Sequence, residues 1–409
     1  MLYRLTKPVA KIAFQVYFRK LYLSHLENVP KDKPVILATN HPTAFIEPCI
    51  LACWLPMELS FLARGDLYLE NPFIRKLYHW YHLIPVFRVV DAGFSNVRNN
   101  YQSFEKALEA LWHNRAVMVL AEGNVKHEKR LRPVVKGTAR IVFAMLEKYG
   151  DRDVQVVPVG VNYTNPDEFR SVVMMDFGPP IAATEYTECY RQNPARAINE
   201  LTAELARRLR QRVIHIQDPA DEALAELLFE ISRNNHPASP LPIVEHDDRP
   251  LRREIHIAET LNRLTEPDKD ALRQRVYHYF DALRQHRVSD FGLMYPQFAD
   301  SRNSLLAMAG FCPAALGYAL HYLPLKTARL LAEHLAPSIE FIASLAGAFG
   351  TLFWLIYAGV LSVLTGWLTG SWWLAFIALF GLAGLGVFTL FYMDFFGKWR
   401  QARRVTCLA

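Results

Sequence analysis

From Ile339 to Trp367, and again from Ser371 to Met393, the chain is almost wholly apolar apart from small residues and Glu340. A helix of about 20 apolar residues crosses a bilayer, so each run is long enough. The short TGWLTGS sequence between them predicts a helical hairpin with both outer ends on one side. Those ends, LPLKTARLLAEH before and GKWRQARR after, are basic, and the bias of cationic flanks places them in the cytoplasm. No residue within the hairpin suggests a proton or ion relay, so it reads as an anchor and not as a transport path. A further apolar piece, LLAMAGFCPAALGYALHYLP (residues 305–324), carries Pro313. It is expected as a re-entrant or interfacial helix at least as readily as a span.

Such a tail leaves the rest of the 409 residues to form a globular body. Hydrophobic residues make up 51% of the chain, yet mean hydropathy is only +0.03. Apolarity is therefore concentrated in places instead of spread through a polytopic transporter. Between about residues 33 and 178, apolar β-branched runs alternate with helical periodicity. PVILATN, MELSFLAR, HLIPVFRVV, AVMVLAE, VQVVPVGVNY and SVVMMDFG read as buried strands; YQSFEKALEALWHNRA and KGTARIVFAMLEKYG read as helices between them. This alternation predicts an α/β fold built on one mixed sheet flanked by helices.

From Pro194 to Val288 the reading is helical and highly charged, with Pro near the first turn of two helices. HPASPLPIVEHDDRP is a linker by composition. Residues from about Leu5 to Leu26 read as one basic amphipathic helix, which either lies on an anionic membrane surface or packs as a core helix; the hydrophobic hairpin favours the surface. The expected divisions are an N-terminal helix (1–30), an α/β domain (31–215), a charged helical region (216–300) and a membrane-anchoring region (301–409) with its hairpin at about 339–393.

A net charge of +6 and a pI near 9.0 point toward anionic partners. Nucleic acid is not indicated, since the charge is spread over several helices without a reader motif. The five cysteines (Cys49, Cys53, Cys189, Cys312 and Cys407) form no CxxC pair and no metal-ligand cluster, which fits a reducing compartment and inert thiols. Lys7, Lys11 and Arg19 interrupt any apolar core of a signal peptide.

The chemistry gathers where the run ILATNHPTAFIEPCI leaves its strand. A lone His after a strand is more often structural than catalytic. His41 and Glu47 are six residues apart, about 240° around a continuous helix, so they cannot meet on one. Pro48 disfavours helical geometry at Glu47, and HPTAFIE can be a compact turn that returns the carboxylate to the imidazole. A carboxylate bonded to one ring nitrogen leaves the other as a base. No HExxH spacing, Cys partner or Gly-x-Ser-x-Gly elbow accompanies the pair; a His base without its own nucleophile implies a substrate hydroxyl. His79 and His82, in LYHWYHLIP, read as parts of an aromatic helix, and Asn162 and Tyr163 as structural.

Four blocks in order, from Asn40 to Tyr163, resemble the glycerolipid acyltransferase superfamily. Asn40, His41 and Glu47 resemble its Asn-His and acid. LIPVFRV with Arg88 resembles its second block, LAEGNVKHEKRLR with Glu122 and Gly123 its third, and VVPVGVNY with Pro158 its fourth; RPVVKGTARI, with Lys136, Gly137 and Arg140, resembles the continuation of the third. The family's acid is usually Asp, and its third block usually carries Pro-Glu-Gly-Thr-Arg, where this chain has Ala121 and Asn124-Val125-Lys126.

The resemblance implies His41 as general base, Glu47 as its orienting acid, and Arg88 as ligand of an acceptor phosphate. Glu122 and Gly123 would shape the acceptor pocket. Lys126 and Lys136 are further phosphate candidates, and the departure in the third block adds Lys129, Arg130 and Arg132. It further implies a membrane-bound O-acyltransferase in phospholipid biosynthesis, moving an acyl group from acyl-CoA or acyl-carrier protein to lysophosphatidic acid, or second to glycerol phosphate. No cofactor is expected beyond the thioester co-substrate, and no metal. Membrane lipid is the expected partner surface, with the catalytic domain on the cytoplasmic side. A lysolipid of another kind, such as an amino-acid lipid, or a non-catalytic lipid-binding membrane protein are the alternatives.

Overall fold

The structure, a computed structural model, describes residues 2–65, 72–86, 100–150 and 152–407. Its strands are β1 (Lys20–Ser24), β2 (Val35–Thr39), β3 (Leu59–Arg64), β4 (Leu83–Val86), β5 (Ala116–Leu120), β6 (Gln155–Tyr163), β7 (Val172–Phe177), β8 (Ile181–Ala182) and β9 (Val244–Glu245). Its helices are α1 (Leu2–Tyr17), α2 (Ile46–Trp54), α3 (Pro72–Trp80), α4 (Asn100–Trp112), α5 (Gly137–Tyr149), α6 (Thr187–Gln192), α7 (Pro194–Arg210), α8 (Glu222–Asn235), α9 (Arg249–Arg263), α10 (Glu266–Gln285), α11 (Asp290–Met294), α12 (Ser301–Leu335), α13 (Ile339–Thr369) and α14 (Trp372–Thr406). Two compact units emerge, Met1–His215 with Ile243–Ile255, and Ile216–Pro242 with His256–Ala409.

In the first unit the strands lie in the order β4-β3-β5-β2-β6-β7-β1-β9, with β8 on β6. β4, β3, β5, β2 and β6 run parallel. The β6–β7 pairing is antiparallel, and β7, β1 and β9 are parallel to one another. The sheet is therefore mixed. β2 and β6 are buried along their whole length, which is why they read as unbroken Val/Ile runs without alternation. Pro158 sits between the stretch of β6 that pairs β8 and the stretch that pairs β7, where a missing N–H is tolerated. The core between sheet and helices includes Ile36, Val117, Val156, Phe143, Leu111 and Leu205.

The N-terminal segment departs from the expectation of one helix to Leu26. α1 stops at Tyr17, and Lys20–Ser24 forms a fully buried strand. Leu21 and Leu23 are each almost inaccessible, and the one cation of the strand, Lys20, is buried against Glu245 of β9. β1 pairs with β7 along its length and with β9 at Leu21 and Tyr22, so its buried backbone groups find partners in the sheet. α1 itself combines both readings: Tyr3 packs inward, with its hydroxyl donating to the Ala52 carbonyl, while Leu5, Val9 and Ile12 stay exposed. The stretch expected as a linker contributes β9 to the sheet edge.

In the second unit, α10 starts as its sequence predicts: the Thr265 side chain accepts from the Asp268 amide and Pro267 lies in the first turn. Among the described residues three helices, α12, α13 and α14, are long and apolar enough to cross a membrane. The piece expected to be re-entrant or interfacial is part of α12, which continues through both Pro313 and Pro324. Helices of this kind keep proline because neighbouring helices re-satisfy the freed carbonyls. α12 meets α14 through small residues: a Cβ built on Gly317 would stand 2.1 Å from Thr389 Oγ1 and 3.1 Å from the Leu385 carbonyl oxygen. Close backbone approach of this sort is what holds apolar helices together where burial from water gives no drive. Around the α13–α14 turn Trp367, Trp372 and Trp373 are each more than two-thirds exposed, the arrangement of an interfacial aromatic belt.

Candidate active site

The site begins where β2 ends. Asn40 continues the pairing of β2 with β6 by side chain instead of backbone: its Oδ1 accepts from the Val161 amide at 2.7 Å and its Nδ2 donates to the Val161 carbonyl at 2.8 Å. An Asn at a strand exit can serve both the N–H and the C=O of one residue, and here it frees the main chain to turn. His41 follows, nearly buried at 8% exposure. Its amide donates to Glu122 Oε2 at 2.8 Å and its carbonyl accepts from the Lys126 amide at 3.2 Å.

After the turn, α2 opens at Ile46, so Glu47 lies in its first turn and His41 lies outside it. Glu47 is completely buried. Its Oε1 accepts from the Thr43 amide at 2.6 Å and stands 4.0 Å from His41 Nδ1. The imidazole and carboxyl groups converge as the turn predicted, yet 4.0 Å exceeds hydrogen-bond length. Such distances are common where the full catalytic contact forms only with substrate. Oε2 of Glu47 is buried without a hydrogen-bond partner among the described residues. Burial pushes the Glu47 pKa up to about 8; the Thr43 amide pulls it down and the negative charge of Glu122 adds to the rise.

Tyr163 closes the far side of this pocket. Its hydroxyl lies 3.4 Å from Thr43 Oγ1, and burial, then the charge of Glu47, raise its phenol well above the ordinary value. Expected as merely structural, it belongs to the same buried polar cluster; no sequence spacing announced that. Asn162 is structural, bonding the Arg212 carbonyl and the Ile214 amide. His82 stands away from His41, stacked on Tyr3 with a ring separation of 5.3 Å.

The third block arrives from the adjacent strand. Thr39 of β2 pairs with Leu120 of β5, and the Ala121 amide donates to the Thr39 carbonyl at 2.7 Å. Gly123 has φ +74 and a Cβ there would make only ordinary contact with Val135. Its left-handed backbone requires glycine. Glu122 accepts from the His41 amide, from the Arg132 amide at 2.7 Å and from Arg132 Nη2 at 2.8 Å. Its carboxylate thus faces protein, where an acceptor pocket was expected.

Most of the cations expected at an acceptor phosphate are engaged. Lys126 pairs with Glu128 at 3.4 Å, Arg130 with Glu128 at 2.8 Å, and Lys129 donates to the carbonyls of Tyr163 and Thr164. Lys136 and Arg140, flanking the start of α5, are exposed and make no ion pair among the described residues. Arg88 lies outside the described residues.

Comparison with known proteins came to the same region. Residues 20–162 match the family profile described as Acyltransferase. Glycerol-3-phosphate O-acyltransferase 1 of Saccharomyces cerevisiae is 23% identical over 191 residues, 46% of this chain and 24% of that protein. Glycerol-3-phosphate O-acyltransferase 2 of the same yeast is 25% identical over 112 residues, 27% of this chain and 15% of that protein. The matches thus span about a quarter or less of the relatives' own lengths. The crystal structure of the 1-acyl-sn-glycerophosphate (LPA) acyltransferase PlsC from Thermotoga maritima is 16% identical, with a TM-score of 0.37 over 51% of this chain and 80% of that one.

Proposed function

We propose, from the match of residues 20–162 to the Acyltransferase family, that this chain is a glycerolipid acyltransferase, a membrane-bound O-acyltransferase. It moves a fatty acyl group from an acyl thioester to the hydroxyl of a glycerol phosphate or lysophosphatidic acid. The observation that carries the reading is the convergence of His41 and Glu47 at the exit of β2, with the carboxyl group fully buried beneath the imidazole.

Glu47 faces Nδ1, which leaves Nε2 for the acceptor. His41 takes the proton of the acceptor hydroxyl as that oxygen attacks the thioester carbonyl. The tetrahedral oxyanion collapses, the C–S bond breaks, and the imidazolium returns the proton to the departing thiolate. Positioned general-base help of this kind is worth about 10² to 10⁴ in rate. Ionised Glu47 stabilises the imidazolium that forms in between. Lys136, with Arg140 one turn along α5, supplies positive charge for the acceptor phosphate. The Val135 amide before them bonds the Ala121 carbonyl at 2.8 Å, which keeps this stretch beside Glu122. Glycerol phosphate is taken as the first acceptor, a choice the names of the yeast relatives support, and lysophosphatidic acid as the second. Acyl-CoA or acyl-carrier protein serves as donor. α12, α13 and α14 lie in the bilayer, with the basic flanks of α13 and α14 on the cytoplasmic side.

The test is transfer of label from a labelled acyl-CoA to a panel of glycerol phosphates and lysolipids by the purified full-length chain. His41→Ala is expected to lower turnover by about 10² to 10⁴ with the fold intact. Turnover retained in that variant would overturn the assignment.

A further inference from the structure

Arg132 was one of four cations in the third block available to an acceptor phosphate. Its surroundings assign it elsewhere. Nη2 donates to Glu122 Oε2 at 2.8 Å, to the Asn124 carbonyl, and to the His41 carbonyl at 3.4 Å. Nε faces Glu128 Oε1 at 3.5 Å, and the Arg132 amide donates to the second oxygen of Glu122. The guanidinium side chain is 17% exposed and the Glu122 side chain 3%. One buried cation between two carboxylates has no charge left over for a phosphate dianion.

These bonds share one target. The N–H of His41 is held by Glu122 and its C=O by Arg132 and the Lys126 amide. On one side Asn40 is fixed to β6, and on the other Thr43 is fixed to Glu47. The two peptide groups that flank the His41 Cα are thus each held from the loop after β5, one by Glu122 and the other by Arg132 and the Lys126 amide. Orientation of the imidazole follows from the backbone it hangs on, and a shift of about 1 Å in a reacting group can cost about 10²-fold in rate.

We infer that Glu122 and Arg132 are positioning residues that clasp the backbone of His41, and that neither is a ligand of the acceptor. This rests on the reading of His41 as the base.

The experiment uses the full chain in lipid nanodiscs, as wild type, Arg132→Met, Arg132→Lys and Glu122→Gln. Turnover is measured with a phosphorylated acceptor and with a monoacylglycerol, which offers a hydroxyl without phosphate. Arg132→Met is expected to lower kcat about 10- to 100-fold while acceptor KM stays within about twofold. Arg132→Lys, keeping one charge on Glu122, recovers part of that rate. A loss carried by the KM of the phosphorylated acceptor, or absent with monoacylglycerol, makes Arg132 a phosphate ligand and overturns the clasp.

Hydrogen exchange over residues 39–45 gives a readout independent of turnover. In Glu122→Gln exchange there is expected to rise about tenfold more than over the rest of the sheet; exchange that changes no more there than elsewhere overturns the clasp even in an active protein. A wild type that labels no acceptor sinks the enzymatic reading instead, and exchange alone then decides whether the clasp exists.

Discussion

Glu47 makes the proposed chemistry depend on pH in a direction the structure fixes. Its carboxyl is completely buried, and that burial lifts its pKa from 4.5 to about 8. His41 needs an ionised partner, because an imidazolium formed beside a neutral carboxyl gains no stabilisation from it. The proton lost near pH 8 belongs to the pair, whichever group carries it. With that value only about one molecule in eleven is in the active form at pH 7, and about ten in eleven at pH 9. The rate constant kcat/KM is therefore expected to rise nearly tenfold between pH 6 and 7, and to level off above about 8.5. In Glu47→Gln the group that titrates is gone, so the rise centred near 8 disappears and the remaining rate is lower by about 10²-fold.

Stability carries the complementary sign. A carboxyl whose folded pKa is raised stabilises the fold fully below its unfolded value of 4.5, and that contribution is lost as pH climbs to about 8. At about 1.4 kcal/mol per unit the loss is on the order of 5 kcal/mol. The melting temperature of wild type should fall relative to Glu47→Gln between pH 5 and 8 and run parallel to it above about 8.5. A wild-type rate already level from pH 6.5 upward, or a Gln variant that keeps the rise near 8, would refute the reasoning.

Further variants test the packing within each unit. Asp176 is wholly buried between His25 at 2.7 Å, Arg252 at 3.2 Å and Arg212 at 3.6 Å; Asp176→Asn strands the two guanidinium groups and should cost about 3–5 kcal/mol, read as a lower denaturation midpoint. Gly317→Ala drives a methyl against Thr389 and the Leu385 carbonyl, whereas Gly381→Ala meets nothing within 4 Å. The first should lose about 1–3 kcal/mol of stability in detergent and the second should melt like wild type.

The parts of the fold that were legible in the sequence are those whose signal is local. β2, β5, β6 and β7 were readable because strands buried on both faces leave unbroken β-branched runs. β1 was not, because no Gly or Pro separates Tyr17 from Lys20, and the strand exists only through its long-range partners β7 and β9. In α12 the local signal left a span and an interfacial helix both open, and the helix runs on unbroken through Pro313. The site divides in the same way. The return of Glu47 to His41 followed from a turn of a few residues and a helix start. The fate of the cations did not: Glu122 meets the His41 amide 81 residues away, and nothing in the spacing of Lys126, Lys129, Arg130 and Arg132 shows which of them a buried carboxylate will consume. Lys136 and Arg140 are exposed and pair with no acid among the described residues.

Those two levels meet at Glu47. Its position in the first turn of α2 and the Thr43 amide both favour the ionised form; burial opposes them and wins, and Glu122 adds its negative charge to the opposition. Arg132, paired with Glu122 at 2.8 Å, offsets part of that charge. The clasp therefore acts on the dyad twice, through the backbone of His41 and through the field at Glu47. The two effects separate by sign. Arg132→Met leaves Glu122 uncompensated and should carry the rise in kcat/KM to higher pH. Glu122→Gln removes the charge and should carry it to lower pH, although both variants lower the plateau. A purely mechanical clasp would lower the plateau and leave the position of the rise where it is in wild type; shifts in the same direction for both variants would mean that the field of Glu122 does not reach Glu47.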